Sequence, residues 1–184
     1  MSRVRSFAVA GTVIGLLLTL SSTPASAFDV PSKEQPVGSY GHLVNARSGL
    51  CLAVPGGSRE PAVQLNQFTC GGWSDHFWSL TYRGTAEGVP WYSIENKNSH
   101  MCLSVDAARK DDFAPITQFP CGLYPDQYWT TSGVEFMEDG RVISGDSLVN
   151  WNSKKCLAIL DGSTANTAPA IQYTCGFFGD HVWL

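Results

Sequence analysis

Three short clusters along the 184-residue chain set aromatic rings and a carboxylate at a fixed spacing, followed by an imidazole in two of them and an amide in the other. The first holds Phe68, Trp73, Asp75 and His76, and the second Phe119, Tyr124, Asp126 and Gln127. The third holds Tyr173, Phe178, Asp180 and His181. In each, an aromatic-x-Cys step runs into Cys-Gly-x-aromatic-x-Asp, which puts an aromatic beside an aspartate on a glycine-anchored loop. Carboxylates accept hydrogen bonds and aromatic faces offer flat apolar area, which is binding chemistry. A carboxylate with a histidine also suits acid–base catalysis. Here, however, the acids recur in threes, which fits three equivalent binding sites better than one asymmetric catalytic centre. No G-x-S-x-G, H-E-x-x-H or glycine-rich phosphate loop is present, and His42 and His100 have no motif around them. No catalytic residue, cofactor or metal is therefore expected. The bland alternatives stand beside this reading: the rings can pack on adjacent half-cystines, and the aspartates can accept backbone bonds in turns.

The clusters belong to a longer repeat. Cys51-Leu52, Cys102-Leu103 and Cys156-Leu157 each precede a second cysteine, Cys70, Cys121 or Cys175, by the same interval. A tryptophan follows at a fixed distance in every copy: Trp78, Trp129 and Trp183. This is a threefold internal repeat, with copies at about 40–82, 91–131 and 147–184. All six cysteines fall inside it, and equivalent segments should fold equivalently. The expected disulfides are therefore Cys51–Cys70, Cys102–Cys121 and Cys156–Cys175. The spacing gives no C-x-x-C or His–Cys metal pattern.

The N-terminus reads as an address. Arg3 and Arg5 precede the apolar run Phe7 to Leu20, and Ala25-Ser26-Ala27 is a cleavage site. The run is short of the roughly 20 residues of a membrane-spanning helix, so residues 1–27 are expected to be a signal peptide. The mature chain would be secreted, would start near Phe28 and would have no membrane segment. Removing two arginines from 12 basic and 16 acidic residues leaves 10 − 16 = −6. With no basic cluster, that charge excludes nucleic acid as a partner. Residues 28–38 carry two prolines and no periodicity, and read as a lead-in to a domain at 39–184.

Short alternating pieces and many turn residues mark the rest as all-β. Ala62–Phe68 and Phe77–Tyr82 read as strands, Pro55-Gly56-Gly57-Ser58 as a loop, and Glu138-Asp139-Gly140 as a hairpin turn. Asn45, Asn96 and Asn150 are expected to serve turns. Leu52, Leu103, Leu157, Val54, Val105 and Ile159 are the expected core, with the three repeat tryptophans. A unit of about fifty residues buries too little alone, and three such units can close around a pseudo-threefold axis as a β-trefoil of about twelve short strands.

The pattern Cys-Leu, aromatic-x-Cys, Asp-x-x-Trp in three copies resembles the ricin B-type (R-type) lectin β-trefoil over essentially all of residues 40–184. The resemblance implies a carbohydrate partner, commonly of galactose or xylose type, held in up to three shallow sites. Phe68, Phe119 and Tyr173 would stack on the sugar ring. Asp75, Asp126 and Asp180 would be polar contacts, followed by His76, Gln127 and His181. Trp73, Tyr124 and Phe178 offer an additional stacking surface that the family pattern does not require. One family position is changed throughout. The aspartate two residues after the first cysteine is replaced by Ala53, Ser104 and Ala158. Asp106 and Asp161 lie a few residues on and are candidate substitutes in the second and third copies. The missing acceptor also supports a second reading: a trefoil that has lost sugar binding and acts as a protein-binding inhibitor or accessory subunit.

Overall fold

Most strands in this chain are short, and turns set by glycine and a few residues in the left-handed region join many of them into hairpins. The computed structural model describes residues 39–184, so the expected signal peptide and lead-in lie outside the described residues. The first repeat contributes β1 (Gly41–His42), β2 (Cys51–Ala53), β3 (Asn66–Phe68) and β4 (Phe77–Ala86). The second contributes β5 (Val89–Asn96), β6 (Met101–Val105), β7 (Ile116–Pro120) and β8 (Trp129–Glu138). The third contributes β9 (Arg141–Asn150), β10 (Cys156–Ile159), β11 (Ala170–Tyr173) and β12 (Val182–Trp183). The fold is the expected β-trefoil. Among the described residues every helix is a three-residue 3₁₀ turn, and none is long and apolar enough to cross a membrane.

The first and last strands of each repeat form a barrel. β1 pairs β4, β5 pairs β8, and β9 pairs β12, while the long hairpins β4–β5 and β8–β9 join neighbouring repeats. The ring closes where Val44 and Leu184 exchange backbone bonds of 3.1 and 2.9 Å. Closure leaves no long open edge for another chain to extend. The remaining strands form three hairpins, β2–β3, β6–β7 and β10–β11, across one end. The disulfides link the expected partners, each at the mouth of one hairpin.

Both long hairpins turn through two left-handed residues, Glu87-Gly88 and Asp139-Gly140, as a type I′ turn requires. The second turn was legible as Asp-Gly; the first, with a glutamate, was not, and the stretch beyond Tyr82 is strand up to Ala86. A second departure lies before β3. The expected strand over 62–68 shrinks to Asn66–Phe68, because Ala62 has φ 59 and its N–H donates to the Gln118 carbonyl at 2.8 Å. A left-handed residue turns the chain out of any ladder.

The expected core is buried: Leu52, Leu103 and Leu157 meet Val54, Val105, Ile159 and the three tryptophans on the axis. Each indole N–H also has a home. Trp78, Trp129 and Trp183 donate to the carbonyls of Leu52, Leu103 and Leu157 at 2.9, 3.0 and 3.2 Å. Burying such side chains contributes roughly 1.5–3 kcal/mol apiece.

Around this apolar centre runs a polar ring. Gln67, Gln118 and Gln172 are fully buried. Each accepts from a serine of its own repeat, Ser48, Ser99 or Ser153, at 2.6–2.7 Å. Each also donates twice into the loop of a neighbour. Gln67 holds the Ser163 and Ala165 carbonyls, Gln118 those of Ser58 and Glu60, and Gln172 those of Arg109 and Asp111. Asn45, Asn96 and Asn150, expected at turns, do organise them: their Oδ1 atoms accept from the backbone N–H groups two and three residues on. They are also fully buried, and their amides reach the carbonyls of Asp180, Asp75 and Asp126 in adjacent repeats. Replacing Gln118 by alanine strips partners from two carbonyls and a hydroxyl. The expected cost is about 3 kcal/mol, since buried groups left unpaired cost about 1–3 kcal/mol each. Urea unfolding with the disulfides intact measures it; a loss under about 1 kcal/mol shows that the network is not a main support.

Candidate functional site

The three sequence clusters become three pockets, one per repeat, each bounded by the end of a hairpin and the loop beyond its second cysteine. Phe68 and Tyr173 close β3 and β11, Phe119 is the penultimate residue of β7, and all three line these pockets. Trp73, Tyr124 and Phe178 stand opposite, about half exposed, on the loop. The glycine after each second cysteine explains their posture. A Cβ on Gly71, Gly122 or Gly176 would lie 2.1, 2.4 or 2.4 Å from the ring of Trp73, Tyr124 or Phe178. Each ring thus lies directly over a glycine backbone, which only glycine permits. The next turn, a 3₁₀ turn, delivers Asp75, Asp126 and Asp180 to the pocket floor. The volumes are about 490, 330 and 280 Å³ in the first, second and third repeats.

The floors differ. In the second repeat Ser104 Oγ donates to Asp126 Oδ2 at 2.5 Å. Gln127 accepts from Gly122 N–H at 2.9 Å and donates to the Pro120 carbonyl at 3.0 Å, tying the loop down. In the first and third repeats a histidine takes the glutamine's place. His76 Nε2 is 3.5 Å from Asp75, and His181 Nε2 is 3.6 Å from Asp180. Nδ1 of both rings is buried and has no hydrogen-bond partner among the described residues. Each imidazole sits between the pocket aromatics: His76 is tilted against Trp73 at 5.2 Å and edge-on to Phe68 at 6.2 Å, and His181 is edge-on to Phe178 at 5.1 Å and to Tyr173 at 6.0 Å. Burial pushes both histidines below the ordinary value of 6.5, with the neighbouring aspartates opposing the shift. Burial pushes the Asp180 carboxyl upward, and His181 and Arg47 oppose that.

The substitute acids do reach the pockets: Asp106 lines the second and Asp161 the third. They are not equivalent to one another. Asp106 opens its 3₁₀ turn, whereas Asp161 is the left-handed middle residue of its own, where the other repeats have Gly56 and Ala107. Ala53, Ser104 and Ala158 face the same pockets.

A set of wall residues escapes motif reading. Thr167 lines the first pocket, Ala62 the second and Phe113 the third, each arriving from a different repeat. All three have φ between 59 and 67°, and their N–H groups donate to the Gln67, Gln118 and Gln172 carbonyls at 2.8–2.9 Å. They recur at the repeat interval, but Thr, Ala and Phe share no chemistry that would single them out. Among the described residues one group has metal-ligand proximity, His42 with Cys51 and Cys70. Both sulfurs are committed to a disulfide, so it holds no ion.

Comparison with known proteins agrees with this geometry. The family described as "Ricin-type beta-trefoil lectin domain-like" matches residues 25–119 and 77–173, most of the chain. The chain belongs to the ricin-type β-trefoil lectin family. No curated protein sequence matches this trefoil. Among solved structures it is similar to ThreeFoil, a designed threefold-symmetric protein. That match has 26% identity and a TM-score of 0.67 over 78% of this chain and 95% of that one. It is also similar to part of an exo-β-1,3-galactanase from Clostridium thermocellum. There the values are 24% identity and a TM-score of 0.70, over 80% of this chain but 30% of the enzyme. A Macrolepiota procera ricin B-like lectin, solved with lactose, shares the fold at 10% identity and a TM-score of 0.59, over 82% and 96% of the two chains.

The histidines give this ricin-type trefoil a pH dependence whose sign follows from their depressed pKa. The unfolded chain binds protons that the folded one refuses, so stability contributed by neutral His76 and His181 is complete above 6.5 and is lost as pH falls below it. Exchanging both for glutamine, the residue at position 127, should flatten the fall in melting temperature between neutral pH and about pH 5. An unchanged slope would show that these rings do not control it.

Proposed function

We propose that this protein is a secreted carbohydrate-binding module that holds glycan or polysaccharide in its three pockets without catalysing a reaction. One observation carries the reading. The same constellation, a hairpin-end aromatic, a ring laid over glycine and a floor aspartate, lines a pocket in all three repeats. An aromatic wall facing a polar floor suits a pyranose, whose C–H face stacks while its hydroxyls bond. Family membership supports the same reading, as does the lactose bound by the Macrolepiota procera lectin.

The pockets should not be equal. The third combines Tyr173, Phe178, Asp180, His181 and Asp161, and is the leading candidate. The second keeps Phe119, Tyr124, Gln127 and Asp106, but its Asp126 is engaged by Ser104. The first has Phe68, Trp73, Asp75 and His76 in the widest pocket, with no further acid. Individually weak sites gain through multivalency on a repeating polymer. Secretion after cleavage near Ala27-Phe28, with a trefoil from residue 39, fits three disulfides that need an oxidising compartment.

A glycan array and an insoluble-polysaccharide pull-down on the mature protein test the proposal. Saturable binding competed by free sugar is expected. Tyr173→Ala or Asp180→Asn should each weaken it about tenfold at the third pocket, the loss of about 1.4 kcal/mol. Correctly folded protein that no glycan retains would overturn the reading in favour of a protein-binding trefoil.

A further inference from the structure

Phe113 is held in a conformation that offers its side chain to a neighbour. It has φ 67, a region disfavoured for any residue with a Cβ and a true outlier for bulky ones. The fold imposes this backbone on all three equivalents, since Ala62 and Thr167 share it. What differs is the side chain. Phe113 is 54% exposed and therefore contributes little to the core. Its ring stands across the edge of Tyr173, with centroids 5.0 Å apart and planes at 66°. A flat ring stacked on Tyr173 would therefore present one of its substituents to Phe113. The space there is small, because the third pocket has the least volume of the three, about 280 Å³.

The same pocket brings two carboxylates, Asp161 and Asp180. In the first pocket glycine stands where Asp161 does here, and in the second Asp126 is engaged by Ser104. A substituent that satisfies this corner has a hydrogen-bond donor for a carboxylate and a methyl group for an aromatic ring. A hydroxyl supplies the first and lacks the second, and an acetamido group supplies both.

We infer that Phe113, reaching over from the second repeat, makes the third pocket selective for a saccharide bearing an acetamido group on the ring stacked against Tyr173. This rests on the carbohydrate-binding reading and adds to it a ligand class and the residue that selects it. The first and second pockets, with Thr167 and Ala62 at the same place, lack the discriminating ring.

The test uses the mature protein with Trp73→Ala and Tyr124→Ala, which leaves the third pocket as the intact one. Dissociation constants are measured by calorimetry for two pairs of free sugars, N-acetylgalactosamine against galactose and N-acetylglucosamine against glucose. In the pair that binds, the acetamido sugar should bind about fourfold more tightly, the effect of burying one methyl. Phe113→Ala should bring that ratio to about one, whatever it does to the parent sugar's own constant, because only the ratio reports on the acetamido group. Phe113→Tyr should preserve the ratio. A ratio of one at the outset, or one that survives Phe113→Ala, overturns the inference while the carbohydrate reading stands. Folded protein that binds neither member of either pair, nor any glycan on the array, overturns both.

Discussion

The buried amide side chains of Gln67, Gln118 and Gln172 are the constraint on which the rest of this molecule depends. Each has its carbonyl oxygen satisfied within its own repeat and its two N–H groups committed to another. A buried amide tolerates little displacement, because an unpaired polar group in a low-dielectric interior is costly. The three glutamines therefore fix how far each repeat is rotated about the axis. They also hold the loop from which Ala62, Phe113 or Thr167 projects. The tryptophans and leucines supply more free energy, but apolar contact is non-directional. It would accept several arrangements that these hydrogen bonds reject.

Pocket architecture follows from that rotation. A hairpin and a loop from one repeat meet a left-handed residue from another, and an asparagine from the adjoining repeat grips the backbone at the floor aspartate. Variation enters at few points. Asn98 and Asn152 donate to the carbonyls of Gly57 and Ala108 beside the first and second pockets. At the third, Arg47 occupies the corresponding place and pairs with Glu138 at 3.2 Å. Glu138 in turn accepts from Gly179 N–H at 3.0 Å, so the tip of the β8–β9 hairpin braces that pocket's loop.

Much of this was legible in the chain itself, for physical reasons that differ by residue. Cysteines, repeat tryptophans and leucines recur because each repeat meets the same core, so spacing alone gave the disulfides and the trefoil. The clusters around Asp75, Asp126 and Asp180 were legible because local sequence holds both aromatic and acid on one loop. The Glu87-Gly88 turn was not, because a glutamate there follows from strand pairing rather than from its own preference. Ala62 was misjudged as strand because its left-handed backbone is imposed by the Gln118 carbonyl, which is remote in sequence. For the same reason Phe113 could not be assigned to the third pocket, since its neighbour Tyr173 lies in a different repeat.

Thr167, Ala62 and Phe113 each complete a pocket in a repeat other than their own. A single repeat cut free would carry a floor without its lip, and a lip without its floor. Three such fragments would have to meet around a common axis before any pocket existed, so ligand capture would depend on their concentration. Joining them in one chain makes that encounter intramolecular. It also releases the three lips from being identical, which a symmetric assembly of identical chains cannot do. The asymmetry between a threonine, an alanine and a phenylalanine is a freedom that follows from covalent continuity.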